Sequence, residues 1–283
     1  MQVDVALHPF GADVASLVRT GVAAERRGAG AAWVPDHFSA RMIDRAWSRD
    51  PFVLLGALAA STSRIGLGTL VANMVNRHPA QLACAVNSVQ SLAPGRVLLG
   101  VGSGAGPGSR FALEHEAIGR TLEPTARRRA DLVAHLAALR AIWATPVGGA
   151  TPRRHDASEG SGDAAGPEGA ADDVGASAAG GVVDGAPIPP LIVGASSWGT
   201  IDVALAHADG VNLRDTDRLG RQLERLDAQR RPGFEVSVLV EIDDVVADPA
   251  RIDRLAGAGV DRLIVGVSPR HDPTVLDLVD WTR

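Results

Sequence analysis

The sequence predicts an α/β fold, a (β/α)8 TIM barrel, on three observations. Short apolar runs alternate with longer stretches of helical period. Each run ends in small or polar residues, as strands do where they reach a rim. The strand–helix units number eight, which closes a parallel barrel; an open dinucleotide sheet would carry its glycine fingerprint where this chain has Leu7-His8-Pro9-Phe10.

The first four strands read as 3–8, 31–37, 65–73 and 97–104. The helix at 13–27 gathers Val14, Leu17, Val18, Val22 and Ala23 on one face and stops at Gly28 and Gly30. Asp50-Pro51 opens a second helix to residue 60, with Asp as cap and Pro at the first helical position. Pro79 starts the third, at 79–92, and Pro94-Gly95 turns into the fourth strand. A helix at about 124–143 follows. Residues 147–185 are then dominated by Gly, Ala, Asp, Ser and Pro, too polar to offset their ordering entropy, so an insertion after the fourth unit is predicted to be disordered or loosely held. The remaining strands read as 191–193, 210–213, 235–241 and 262–267, with helices at about 198–207, 215–229, 248–258 and 273–281. The whole chain, 1–283, is therefore one domain.

Composition narrows the function. The formal net charge is −5, and no like-charge run exceeds Arg127-Arg128-Arg129, which argues against a nucleic-acid partner. A single cysteine, Cys84, excludes an intrachain disulfide and a cysteine-built metal cage; set among Leu82, Ala83, Ala85 and Val86, it reads as a packed small hydrophobe. The N-terminus opens straight into a strand with no secretory pattern, and no apolar run reaches the roughly 18 residues of a membrane span, so a cytoplasmic protein is predicted. Lysine and tyrosine are absent, which removes Schiff-base chemistry and a tyrosine proton donor.

Barrels present their chemistry at the carboxyl ends of the strands, which makes His8, His37, Asn73 and Ser103 a candidate site. From Gly100 to Gly108 a glycine stands at every second position; bare backbone there would let a planar or phosphorylated ligand approach, or serve only as a flexible crossover. Gly194-Ala195-Ser196-Ser197 runs into a helix start, where free amides and hydroxyls suit an anion and either serine could be a cap. His37 follows Asp36 at a strand end and can exchange a proton near neutral pH, although an Asp–His pair is also a common structural hydrogen bond. His8, His78, His115 and His271 are weaker candidates, and no histidine pair has metal-ligand spacing, so no metal is predicted. Glu114, His115, Glu116 and Arg120 read as a solvated loop. Arg110, Arg214, Arg262 and Arg270 lie near strand boundaries, where any phosphate-bearing substrate would have to find its cation.

Several ordered motifs carry a family resemblance. They are Ala24-Glu25-Arg26-Arg27-Gly28, Trp33-Val34-Pro35-Asp36-His37-Phe38, the run from Ser63 to Val71, Arg77-His78-Pro79-Ala80, the block from Gly95 to Gly104, and Pro190-Leu191-Ile192-Val193-Gly194 with Ala208-Asp209-Gly210. Outside 147–185 they make the chain resemble the luciferase-like monooxygenase family, most closely its branch using a deazaflavin, coenzyme F420. The resemblance implies a barrel with that coenzyme at its strand ends and His37 beside the reactive ring. It implies a non-proline cis peptide at Leu70-Val71, ring or ribityl contacts from Asn73, Gly102, Ser103 and Gly104, and phosphate held by Gly194, Ala195, Ser196 and Ser197. Relatives are commonly homodimers. Where sugar-phosphate dehydrogenases of the branch carry a tryptophan and a glutamate, this chain has Arg41 and Ala105, which leaves their substrate and acid–base pair unassigned here. The expected activity is hydride transfer between the deazaflavin and a small organic substrate. The alternatives are an FMN monooxygenase fed by a separate reductase, and a cofactor-binding barrel without turnover.

Overall fold

In the computed structural model, residues 1–41, 47–144 and 187–282 are described. Eight parallel strands close into a barrel in sequence order: β1 (Gln2–Leu7), β2 (Ala31–Val34), β3 (Gly66–Asn73), β4 (Val97–Gly102), β5 (Leu191–Gly194), β6 (Gly210–Arg214), β7 (Glu235–Glu241) and β8 (Arg262–Val267). Helices α1 (Val14–Arg27), α2 (Pro51–Ser61), α3 (Pro79–Leu92), α4 (Ala112–Ala117), α5 (Thr125–Ala144), α6 (Trp198–His207), α7 (Leu219–Gln229), α8 (Ile242–Ala247) and α9 (Ala250–Gly257) connect them. The 147–185 segment lies outside the described residues.

The start signals act as chemistry requires. Asp13, Asp50, His78 and Ser197 cap α1, α2, α3 and α6, each accepting from first-turn amides. The strand expected to run to residue 37 ends at Val34, because Pro35 has no N–H to donate to the ladder. Asp36 and His37 therefore stand on the rim.

Three expectations need correction. The single helix at 248–258 is α9 preceded by a separate α8; Asp243 and Asp244 suit the start of α8, and Pro249 divides the two. The final 273–281 helix is a six-residue 3-10 turn, Pro273–Leu278, closed by the Trp281 indole donating to the Leu276 carbonyl at 2.7 Å. Cys84 is exposed rather than packed, since α3 turns Leu82, Ala83, Val86 and Val89 inward and leaves position 84 on its outer side.

The strands' two-residue alternation separates two cores. Val3, Val5 and Leu7 face the helices, while Asp4 and Ala6 face the barrel axis, where Ala6, Trp33, Ile192, Leu239 and Ile264 pack together. Trp33 is fully buried, its ring occupying the space a side chain at Gly68 would need. Its indole donates to Asp4 Oδ2 at 2.7 Å, and Arg262 reaches the same oxygen at 2.6 Å while bonding Glu235. This plug closes the amino end of the barrel, so Arg262 is a structural residue remote from the strand-end rim.

Two glycines predict opposite effects. A Cβ on Gly100 would overlap the Thr69 carbonyl oxygen of the neighbouring strand, so Gly100→Ala is expected to cost about 1–3 kcal/mol. Gly56 lies in α2 with nothing near its missing Cβ, and Gly56→Ala is expected to gain about 0.5–1 kcal/mol. Urea midpoints of the two variants check both signs.

Candidate functional site

The same alternation that points Asp4 inward at the bottom brings His8, Arg214 and Glu241 to the cleft at the top. There the strand ends surround two adjoining cavities of about 580 and 610 Å³, sizes typical of small-molecule sites. His37, Leu70, Phe111, Arg214 and Leu239 line both, so the cavities are two lobes of one cleft. The larger lobe brings together every residue singled out as a cofactor contact: Leu70, Val71, Asn73, Gly102, Ser103, Gly104, Gly194, Ala195, Ser196 and Ser197. The Leu70–Val71 peptide is cis.

His37 stands where the lobes meet. Its Nδ1 lies 2.7 Å from Oε2 of Glu114, a side chain only 2% exposed, whose other oxygen accepts from the Ser39 amide at 2.9 Å. A carboxylate only accepts, which assigns the proton to Nδ1 and leaves Nε2 as the ring's available acceptor. The imidazole stacks on Phe111, with ring centroids 4.9 Å apart, and lies tilted against Phe10, with centroids 5.6 Å apart, so together with Glu114 three neighbours set its orientation.

Asp36 is not the partner of His37. It accepts from Arg77 Nε at 2.7 Å and Nη2 at 2.8 Å, and from the Asn73 amide at 2.9 Å, tying the end of β2 to that of β3. Glu114 and His115, expected in a solvated loop, are both buried because α4 folds them under the glycine run; Glu116 and Arg120 remain exposed. His115 Nε2 lies 3.2 Å from Asn73 Nδ2, and burial pushes its pKa below the usual value against the opposing pull of Glu114. His115 is accordingly a neutral acceptor that holds the Asn73 amide in place.

The larger lobe fits a planar ring with an anionic tail. A Cβ on Gly102 would come within 2.6 Å of Val71, and one on Gly194 within 3.0 Å, so glycine keeps this floor bare. Arg128 clasps the loop through the Gly104 carbonyl at 3.0 Å. Arg129 packs beside Gly199 at the start of α6 and has no carboxylate partner among the described residues. The amide of Ala195 is spent on the Asn212 carbonyl at 2.9 Å and that of Thr200 on the Ser197 cap, which leaves Ser196, the Trp198 and Gly199 amides and Arg129 as the groups there able to donate to an anion. Among the described residues no group of three or more metal-ligating side chains converges, and no helix is long and apolar enough to cross a membrane.

The family model for luciferase-like monooxygenases matches residues 1–272. The chain belongs to that family. Among curated members it is similar to an F420-dependent glucose-6-phosphate dehydrogenase of Kineococcus radiotolerans, 36% identical over 124 residues, which cover 43% of this chain and 35% of that protein. It is likewise similar to an F420-dependent hydroxymycolic acid dehydrogenase of Mycobacterium tuberculosis, 33% identical over 128 residues, 45% of this chain and 34% of the relative. The matched segments thus span about a third of those relatives' length. Among solved structures, two superpose along almost the entire chain. An F420-dependent secondary alcohol dehydrogenase in complex with an F420-acetone adduct does so with TM-score 0.72 at 15% identity, covering 100% of this chain and 99% of its own. The F420-dependent tetrahydromethanopterin reductase of Methanopyrus kandleri does so with TM-score 0.69 at 16% identity, covering 99% and 97%. At these identities the likeness speaks for the barrel.

Nothing local in the sequence marked Glu114 as the partner of His37. Arg110, Arg214 and Arg270 line the smaller lobe, as does His8; His78 caps α3, and His271 bonds Asp243 at 3.1 Å.

Proposed function

We propose that the chain is a deazaflavin-dependent oxidoreductase that binds coenzyme F420 in the larger lobe and a small organic substrate in the smaller one. One observation carries the reading: His37, its tautomer set by Glu114, stands at the junction of the two lobes. The coenzyme, when bound, supplies a ring carbon that accepts or returns a hydride. Leu70, Val71, Gly102 and Gly194 would form the floor against which its ring lies, and Ser196, Ser197, Arg129 and the start of α6 would hold its phosphate. In the oxidising direction His37 Nε2 takes the proton of the substrate hydroxyl; in the reducing direction it gives that proton to the carbonyl oxygen. Glu114 stabilises the imidazolium formed on the way, and Phe10 and Phe111 keep water from the ring faces. The curated F420-dependent dehydrogenases it resembles support the choice of coenzyme.

Fluorescence titration with F420 and with FMN tests the proposal. Saturable F420 binding, tighter than FMN, with alcohol-dependent bleaching of the deazaflavin is the expected result. Selective FMN binding would replace it with the monooxygenase reading, and F420 binding without turnover across an alcohol panel would leave a barrel that binds but does not catalyse.

A further inference from the structure

Positive charge is concentrated in the smaller lobe of a chain whose formal net charge is −5. Arg110, Arg214 and Arg270 line it together with His8, and Glu241 is the one lining carboxylate among the described residues. The acidic groups nearby are already engaged. Glu241 Oε2 lies 3.4 Å from His8 Nε2, and Asp243 is paired with Arg270 and His271. Arg110 has a different neighbour: its guanidinium lies 4.9 Å over the Phe111 ring, leaving its N–H donors free of any carboxylate among the described residues. Arg214, at the end of β6, is exposed within the cleft and makes no hydrogen bond among the described residues. Partial desolvation of its guanidinium at the rim holds its pKa below the usual value, against the pull of Glu241 and with a smaller push from Arg110. Two guanidinium groups on the wall of one cavity, neither bonded to a carboxylate among the described residues, stand to gain charge-assisted bonds from an anion that reaches both.

We propose that Arg110 and Arg214 form an anion subsite that holds the phosphate or carboxylate of an acidic substrate. Phe111, stacked on both Arg110 and His37, links that anchor to the ring that handles the proton. Anchoring a remote anion orients the substrate's carbinol or carbonyl at Nε2 and spends binding energy where no bond changes. The substrate class is then a small hydroxy or oxo compound bearing one acidic group. As a substrate site this rests on the oxidoreductase reading; as an anion site it does not.

The experiment is calorimetric titration of the full chain with inorganic phosphate, succinate and glycerol, alongside the F420 titration. Phosphate, succinate or both are expected to bind and glycerol is not, with the tighter of the two anions naming the acidic group. Arg110→Met is expected to weaken anion binding about tenfold or more and to leave the F420 Kd unchanged. Arg129→Met, in the larger lobe, is expected to remove any second phosphate site at the start of α6 and to keep the one that depends on Arg110. Circular dichroism confirms that each variant is folded, and Arg214→Gln gives a second removal should Arg110→Met fail to fold. Anion binding indifferent to both Arg110→Met and Arg214→Gln, or no anion binding in the parent protein, would overturn the proposal. Loss of the F420 result with anion binding intact would instead overturn the coenzyme reading alone.

Discussion

His37→Ala is expected to lower turnover by about 100- to 10,000-fold, the usual worth of a positioned proton-transfer group, while the Kd for F420 moves by less than about threefold. The asymmetry follows from placement. His37 lies on the edge shared by the two lobes, whereas the floor and the proposed anion donors of the larger lobe come from β3, β4, β5, the start of α6 and Arg129 of α5. Steady-state kinetics with a coenzyme titration check it, and equal losses in both quantities would show that His37 holds the ring instead of moving a proton. Glu114→Gln is expected to cost about tenfold or more in kcat and to shift the pH–rate profile, because an amide can either donate or accept and no longer fixes the proton on Nδ1. A purely packing role for Glu114 would leave the profile in place.

Asp4→Ala is expected to lower folding stability by about 2–4 kcal/mol without changing the F420 Kd. Asp4 is fully buried at the far end of the barrel, and one of its oxygens receives both the Trp33 indole and Arg262. Truncation leaves the indole N–H without a partner and Arg262 with Glu235 alone. The other oxygen, Oδ1, has no hydrogen-bond partner among the described residues, and burial raises the Asp4 pKa from 3.8 to about 6 against the pull of Arg262 and Trp33. A folded-state pKa above the unfolded value means the native chain holds this proton more tightly. The proton-linked part of the stability at Asp4, separate from the hydrogen bonds that Asp4→Ala removes, is therefore complete below about pH 3.8 and is lost as pH rises through about 6, a change of up to ~3 kcal/mol. Urea unfolding of the parent and Asp4→Asn across that interval measures it; Asp4→Asn is expected to remove this part of the slope, and an unchanged slope would assign it to other groups.

Legibility divided along the range of the interaction. The barrel could be read because each strand is a short apolar run with its own stop, such as Pro35 after Val34 and the glycines after Val101. The cofactor lobe was readable in its local motifs, Gly102-Ser103-Gly104 and Gly194 to Ser197, since each signals bare backbone or a helix start within a few residues. Glu114 was not. Its contact with His37 spans 77 positions, and a charged Glu-His-Glu string looks solvated until α4 folds it inward. Asp36 misled for the same reason, because Arg77, 41 positions away, competes for it more effectively than the adjacent His37. Arg262 could not be sorted from Arg214 by type, since only the direction in which the strands run decides which end of the barrel each occupies.

A crystal structure of the chain soaked with F420 tests the central claim most directly. Deazaflavin density is expected in the larger lobe, its ring against Leu70 and Val71 and its phosphate at Ser196, Ser197 and Arg129, with His37 Nε2 open toward the smaller lobe. A ring bound elsewhere on the barrel, or a phosphate away from the start of α6, would contradict it.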